Sequence, residues 1–150
     1  MTKATRLLTA LPPPQRQRLM ALAREVSFSE DARIFEAGGT ADRFWVIRSG
    51  AVSLDQQVTS QQRVTVAGLG AGDLLGWSWL FPPHRWDFGA VAFSPVRAYE
   101  FDAAEVLGLC EEDPQLGLIL VRSVAEILAY RLETTRGKLM EQYSMHRRAL

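Results

Sequence analysis

The sequence predicts a mainly β fold with flanking α-helices: an antiparallel β jelly roll with N-terminal helices before it and a long C-terminal helix after it. Three observations predict this. Between about residues 31 and 101, some seven or eight short apolar or alternating runs follow at regular spacing, each closed by glycine, proline or a polar turn. Before residue 31 the apolar residues keep helical intervals and are interrupted by a triple proline. From residue 102 to about 145 they return at intervals of three and four. At 150 residues the chain reads as a single domain, 1–150.

In chain order, Leu7, Leu8 and Leu11 mark a first short helix that ends at Pro12-Pro13-Pro14. Pro14 fits the first turn of a second helix, where a missing N–H costs nothing. Leu19, Met20, Leu22 and Ala23 form its apolar stripe, and Gln15 to Arg18 its solvated side. Strands are then expected at Arg33–Glu36, Phe44–Arg48, Ala51–Asp55 and Arg63–Ala67, with Gln56 to Gln62 as a loop. Leu74-Leu75, Phe88–Phe93 and Val96–Phe101 complete the set. Asp102, with Glu105 three residues on, starts a helix by the capping-box pattern. A longer helix runs from about Pro114 past Leu139. Its Val121, Val124, Leu128, Leu132 and Leu139 have the spacing of a coiled-coil seam. The other reading of the same helix packs Leu118, Val121 and Ala125 on the barrel.

Composition narrows the function. Apolar residues make up 47% and charged residues 23%, ordinary for a globular chain, and 17 basic residues balance 17 acidic ones. No global field draws such a chain to nucleic acid or membrane. The single Cys110 excludes an internal disulfide and fits a cytoplasmic protein. No apolar run approaches a membrane span, and no signal-peptide core precedes the first helix. Enzyme chemistry is not expected. His84 and His146 are the only histidines, too few for a jelly-roll metal site, and no metal or other cofactor is implied. Cys110 falls within a helix with no histidine near it in sequence, and Ser78 in Gly-Trp-Ser-Trp-Leu lacks the glycines of a nucleophile elbow.

Ligand chemistry is suggested in one stretch, Gly72 to Val91, which holds three of the four tryptophans. Gly76 allows a sharp turn after Leu74-Leu75, and Trp77 to Phe81 has the length of one helical turn before Pro82-Pro83 stops it. A helix N-terminus placed there offers free N–H groups to an anion.

This order of elements resembles the cyclic nucleotide-binding domain of bacterial-type Crp/Fnr regulators and kinase regulatory subunits. Asp42-Arg43-Phe44-Trp45-Val46-Ile47-Arg48-Ser49-Gly50-Ala51-Val52 is similar to that family's strand-turn-strand. Gly72-Asp73-Leu74-Leu75-Gly76 is similar to the start of its phosphate-binding cassette. In the family a glutamate follows the cassette glycine and holds the ribose, and an arginine further on pairs with the cyclic phosphate. Matched without gaps, those positions are Trp77 and Asp87, with Phe88 and Gly89 after Asp87. A carboxylate repels a phosphate, so cyclic AMP or cyclic GMP held in the usual way is not expected. Arg85 either reaches the cassette in place of the missing arginine or is a loop residue stacking on Trp86 or pairing with Asp87. Trp77 and Trp79 either line a pocket for another small molecule or fill the space a nucleotide would use.

The candidate pocket is therefore Gly76, Trp77, Ser78, Trp79, Arg85, Trp86, Asp87 and Val91. The resemblance adds Thr135 and Arg136, the pair that would face a base from the long helix, with Gly137 as a hinge beside them. The expectation is a stand-alone sensor or regulatory domain, homodimeric through the long helix, with an unknown small-molecule ligand or a protein partner. The alternatives are an interaction or assembly module with a plugged pocket, and cyclic nucleotide binding through Arg85. Met145 to Leu150 leaves no room for a recognition helix, so direct DNA binding is not expected.

Overall fold

Two four-stranded antiparallel sheets face each other, in strand orders β1-β8-β3-β6 and β2-β7-β4-β5. The structure, a computed structural model, describes residues 6–149. The strands are β1 (Arg24–Phe28), β2 (Arg33–Phe35), β3 (Arg43–Ser49), β4 (Val52–Gln57), β5 (Arg63–Leu69), β6 (Leu74–Leu75), β7 (Gly89–Ala92) and β8 (Val96–Asp102). Helices α1 (Leu7–Ala10) and α2 (Pro13–Met20) precede them, and α3 (Ala103–Glu112) and α4 (Pro114–Ala149) follow. This is the jelly roll with flanking helices that the sequence predicts.

Strand β1 lies in a segment read from the sequence as part of the N-terminal helices. The second helix ends at Met20 rather than continuing over Leu22 and Ala23. Arg24-Glu25-Val26-Ser27-Phe28 then pairs with β8 as a sheet edge, Val26 and Phe28 turned to the core. Its five residues alternate, but charged residues at one end hide the period. The expected loop from Gln56 is shorter too: β4 runs to Gln57, and the turn closes with the Val58 amide donating to the Gln62 carbonyl at 2.9 Å.

β3 is buried on both faces. On one, Phe44 stacks between Trp79 at 4.6 Å and Phe101 at 4.8 Å, beneath the helices. On the other, Trp45 points between the sheets and meets Phe35 and Phe28. A fully buried aromatic or leucine side chain contributes about 1.5–3 kcal/mol, so this strand carries the core of both layers. The Asp102 carboxylate accepts the Glu105 amide at 3.0 Å and caps α3, as the spacing predicts.

Helix α4 corrects both readings of its apolar residues. Leu116, Leu120, Val124 and Ile127 are buried, so Val124 belongs to the core and not to an outer seam. Leu118 and Val121, expected on the barrel in the other reading, are 58% and 45% exposed, and Ala125 is exposed as well. Two stripes run along one helix on different sides. The roll-facing stripe stops at Ile127, and Arg131 stands one turn beyond it. The outer stripe (Leu118, Val121, Ala125, Leu128, Leu132) continues to Leu139. Residues 132–147 are exposed throughout, an arm about 24 Å long.

Candidate functional site

The backbone turns at Gly76 with φ +94°, a region costly for residues with a Cβ. A Cβ there would lie 2.8 Å from the Trp86 ring, so close approach as well as conformation calls for glycine. After it, Ser78–Leu80 forms a three-residue 3-10 turn. That is shorter than the helical turn expected from the sequence, and three residues carry little of the dipole that an anion site at a helix N-terminus needs.

The three tryptophans of the stretch take different places. Trp79 is buried among the helices: it stacks on Phe44, and its indole N–H donates to the Gly76 carbonyl at 3.2 Å. It does not line the cleft. Trp86 enters the space between the sheets, 6% exposed, stacked on Phe35 at 4.1 Å and tilted against Trp45 at 5.9 Å. Trp77 is half-buried at the cleft, edge-on to the exposed Phe81. The side chain that fills the lumen is thus Trp86, with Trp45 and Phe35 beneath it, rather than Trp77 and Trp79.

Trp86 is held from both sides of its backbone. The Gly38 amide donates to the Trp86 carbonyl at 2.8 Å, and the Trp86 amide to the Gly39 carbonyl at 2.9 Å. The Ala41 amide donates to the His84 carbonyl at 2.8 Å. Arg85 is exposed, and its guanidinium donates to the Gly38 carbonyl at 2.9 Å, on this same crossing and outside the cleft.

What remains open is a cavity of about 20 Å³ bounded by Trp77, Ser78, Trp86, Asp87 and Arg131, with Phe35 and Leu54 beneath. Gly76 and Phe88 complete its wall. Ser78 is buried and Asp87 exposed at the rim. Val91 pairs with Ser53 and Arg33 on β7 and is not among the residues bounding this cavity. Thr135 and Arg136 are exposed beyond the cleft, and α4 continues unbroken through Gly137. The structure therefore brings together Gly76, Trp77, Ser78, Trp86 and Asp87, and leaves Trp79, Arg85, Val91, Thr135 and Arg136 apart from them.

Two features escaped the sequence reading. Arg131 reaches from α4 into the cleft and donates to the Leu74 carbonyl at the start of β6. Burial lowers its pKa from the ordinary value, with the Asp73 charge acting in the opposite direction. It could have been found as the first charged residue in the row 116, 120, 124, 127, 131. Second, Arg33 grips Asp55 bidentately at 2.5 and 3.1 Å on the outer side of β4 and β7. Hydrogen bonding to Asp55 raises the Arg33 pKa, against desolvation. Gly89 passes beneath that pair, where a Cβ would collide with both side chains.

A second groove, of about 70 Å³, lies between Leu22, Arg24, Arg43, Glu100, Asp102 and Glu105. Arg43 is already paired there with Glu100 at 3.5 Å and with Asp42 at 3.0 Å. Cys110 is half-buried in α3, and burial followed by the Asp113 charge pushes its thiol pKa up, away from nucleophilic use. Among the described residues no three of His, Cys, Asp and Glu gather as a metal would need, and no helix is long and apolar enough to cross a membrane.

Comparison with known proteins adds to this geometry. A family model described as the cyclic nucleotide-binding domain matches residues 25–113. The global nitrogen regulator of Nostoc sp. is 28% identical over 101 residues, which cover 66% of this chain and 45% of that protein. The CRP-like cAMP-activated global transcriptional regulator of Mycobacterium tuberculosis is 25% identical over 116 residues, 77% of this chain and 50% of that one. The chain spans about half the length of these curated relatives. The N-terminal domain of a transcriptional regulator from Streptomyces coelicolor A3(2) superposes with a TM-score of 0.70 at 25% identity, covering 89% of this chain and 90% of that chain.

Proposed function

Since the chain belongs to the cyclic nucleotide-binding domain family, we propose that it is a non-enzymatic, cytoplasmic regulatory domain that does not hold cyclic AMP or cyclic GMP in that family's usual way. The observation that carries this is the filled lumen. Trp86, Phe35 and Trp45 stack between the sheets and leave about 20 Å³, room for one water, where ligand pockets run to about 300–1,000 Å³. Matched without gaps, the position of the family's arginine falls on Asp87, which is exposed at the rim. Arg85 is engaged with the Gly38 carbonyl, which weighs against its standing in for that arginine.

Output leaves through α4. Leu118, Val121, Ala125, Leu132 and Leu139 are exposed at intervals of three, four and seven, with Leu128 partly packed on the core between them, so that among the described residues most of this stripe is uncovered. A second copy of the same helix covers such a stripe, so the domain works as a homodimer. The same filled lumen supports a second reading, an assembly module without a ligand, in which the dimer is constitutive.

Calorimetry with cyclic AMP and cyclic GMP tests the first reading: no heat of binding is expected for either up to high micromolar concentration. Low-micromolar affinity for either nucleotide overturns it.

A further inference from the structure

We propose that the outer edge of β5 is an interaction surface for a second copy of this chain, the two strands pairing antiparallel about a two-fold axis at Thr65. This goes beyond the regulatory reading above and does not rest on the seam along α4. Four strands end the two sheets: β1 and β6 in one, β2 and β5 in the other. An open edge presents unpaired N–H and C=O groups, and folded proteins blunt it by shortness or by charge. Three of the four edges are blunted. β6 has two residues, β2 has three and begins at Arg33, and β1 opens with Arg24-Glu25. β5 has seven residues, and after Arg63 no charged side chain occurs until Asp73. Arg63, Val64, Thr65 and Val66 are all exposed, so this end of the hairpin stands clear of the roll on both of its faces.

The ladder fixes which main-chain groups are free. The Val58 amide donates to the Gln62 carbonyl at 2.9 Å, and beyond it Gln57 lies opposite Arg63, Gln56 opposite Val64 and Asp55 opposite Thr65. Hydrogen-bonded and non-hydrogen-bonded pairs alternate in such a ladder, so the N–H and C=O groups of Arg63 and Thr65 point away from β4. The register then shifts, and Val66 has no partner on β4. Sequence chooses the occupant. Val64-Thr65-Val66 reads the same in both directions, so a two-fold axis at Thr65 sets Thr65 against its own copy and Val64 against the partner's Val66. Threonine pairs and β-branched pairs are favourable at facing positions, and two facing Thr65 residues exchange both of their free main-chain bonds. Arg63 falls opposite the partner's Ala67, so no like charges meet. The sheet β2-β7-β4-β5 then continues into its copy. With a seam on α4 as well, a chain holding two self-complementary surfaces builds a closed tetramer or an open filament of dimers.

The test uses the full chain. Amide exchange at Arg63 and Thr65 is followed by NMR from low to high micromolar protein, with the mass measured by light scattering. Both amides face away from β4, so in a lone chain they exchange fast, and at high concentration they should slow by about tenfold or more. Thr65→Pro removes a free N–H without removing a bond of the β4 ladder. It should lower the mass at high concentration, restore fast exchange at Arg63 and leave the unfolding midpoint nearly unchanged. Thr65→Lys, which serves if the proline variant does not fold, supplies the charge that blunts an edge and should act in the same way. Leu132→Lys, on the α4 stripe, should leave the slowing in place, which separates this surface from the seam. Exchange that stays fast at every concentration overturns the proposal. So does a mass that both Thr65 variants leave unaltered, or slowing along Arg24–Phe28 in place of Arg63 and Thr65. None of these outcomes touches the filled-lumen reading, which calorimetry tests.

Discussion

The lumen of the roll and the outer arm of α4 handle apolar surface in opposite ways. Between the sheets, Phe28, Phe35, Trp45 and Trp86 touch ring to ring and leave almost no space. Along the arm, Leu132, Leu139, Met140 and Tyr143 are each more than half exposed and touch no core residue. A free helix of that length, carrying Gly137, is marginal in water unless something packs on it. The interior covers its own apolar surface, and the described residues leave that of the arm uncovered.

The contrast breaks most sharply at Trp86. Trp86→Ala removes the ring that lies against Gly76 and Phe35 and should cost about 3–5 kcal/mol in urea unfolding. If the lumen is full because of this ring, the variant should also gain a site for indole, seen as recovery of its melting temperature on adding indole. An unaltered unfolding midpoint would show that Trp86 is not a core residue. Next in size is the arm. Leu132→Lys places charges in the outer stripe and should release monomers at micromolar concentration in light scattering, with the unfolding of each roll little changed. Leu120→Ala, on the inner stripe, should do the reverse, losing about 2–5 kcal/mol of stability without first dissociating the protein. A wild-type chain that is monomeric at high micromolar concentration removes the seam. The smallest effect belongs to Gly137→Ala: a Cβ there meets no neighbour within 4 Å, so helix propensity alone should add about 0.5–1 kcal/mol to arm stability. Loss of stability instead would mean that the arm bends at Gly137.

Much of the roll was legible because its strands announce themselves by period and by turns. Phe44-Trp45-Val46-Ile47 and Val96–Phe101 are rich in aromatic and β-branched residues, and Asp102 with Glu105 marks where helix begins. β1 was not legible, since an edge strand with Arg24-Glu25 at its start shows little apolar alternation. In the site, the composition of the stretch from Gly76 to Asp87 pointed to the right segment but not to the division of labour among its tryptophans. Indoles at 77, 79 and 86 differ only in which way a short 3-10 turn and a loop aim them, and that is decided by distant partners: Phe44 for Trp79, Phe35 and the Gly38-Gly39 backbone for Trp86. Arg131 was legible in principle, because a helix row that is apolar for four positions and then charged marks the edge of the packed layer. Its bond to Leu74 was not, because the pairing crosses 57 residues.

The crossing of the Gly38–Ala41 segment with the His84–Trp86 segment has a consequence for how this chain can change over generations. Three backbone hydrogen bonds and the Arg85 side chain fix the two segments to each other residue by residue. Most surface connections tolerate insertions, since their ends are free to move apart. Here an added or deleted residue between Pro83 and Trp86 would slide the indole out of its seat on Phe35 and disrupt the crossing at the same time. The number of residues in that loop therefore stays fixed, and His84 and Arg85, held to the Trp79 and Gly38 carbonyls, are constrained with it.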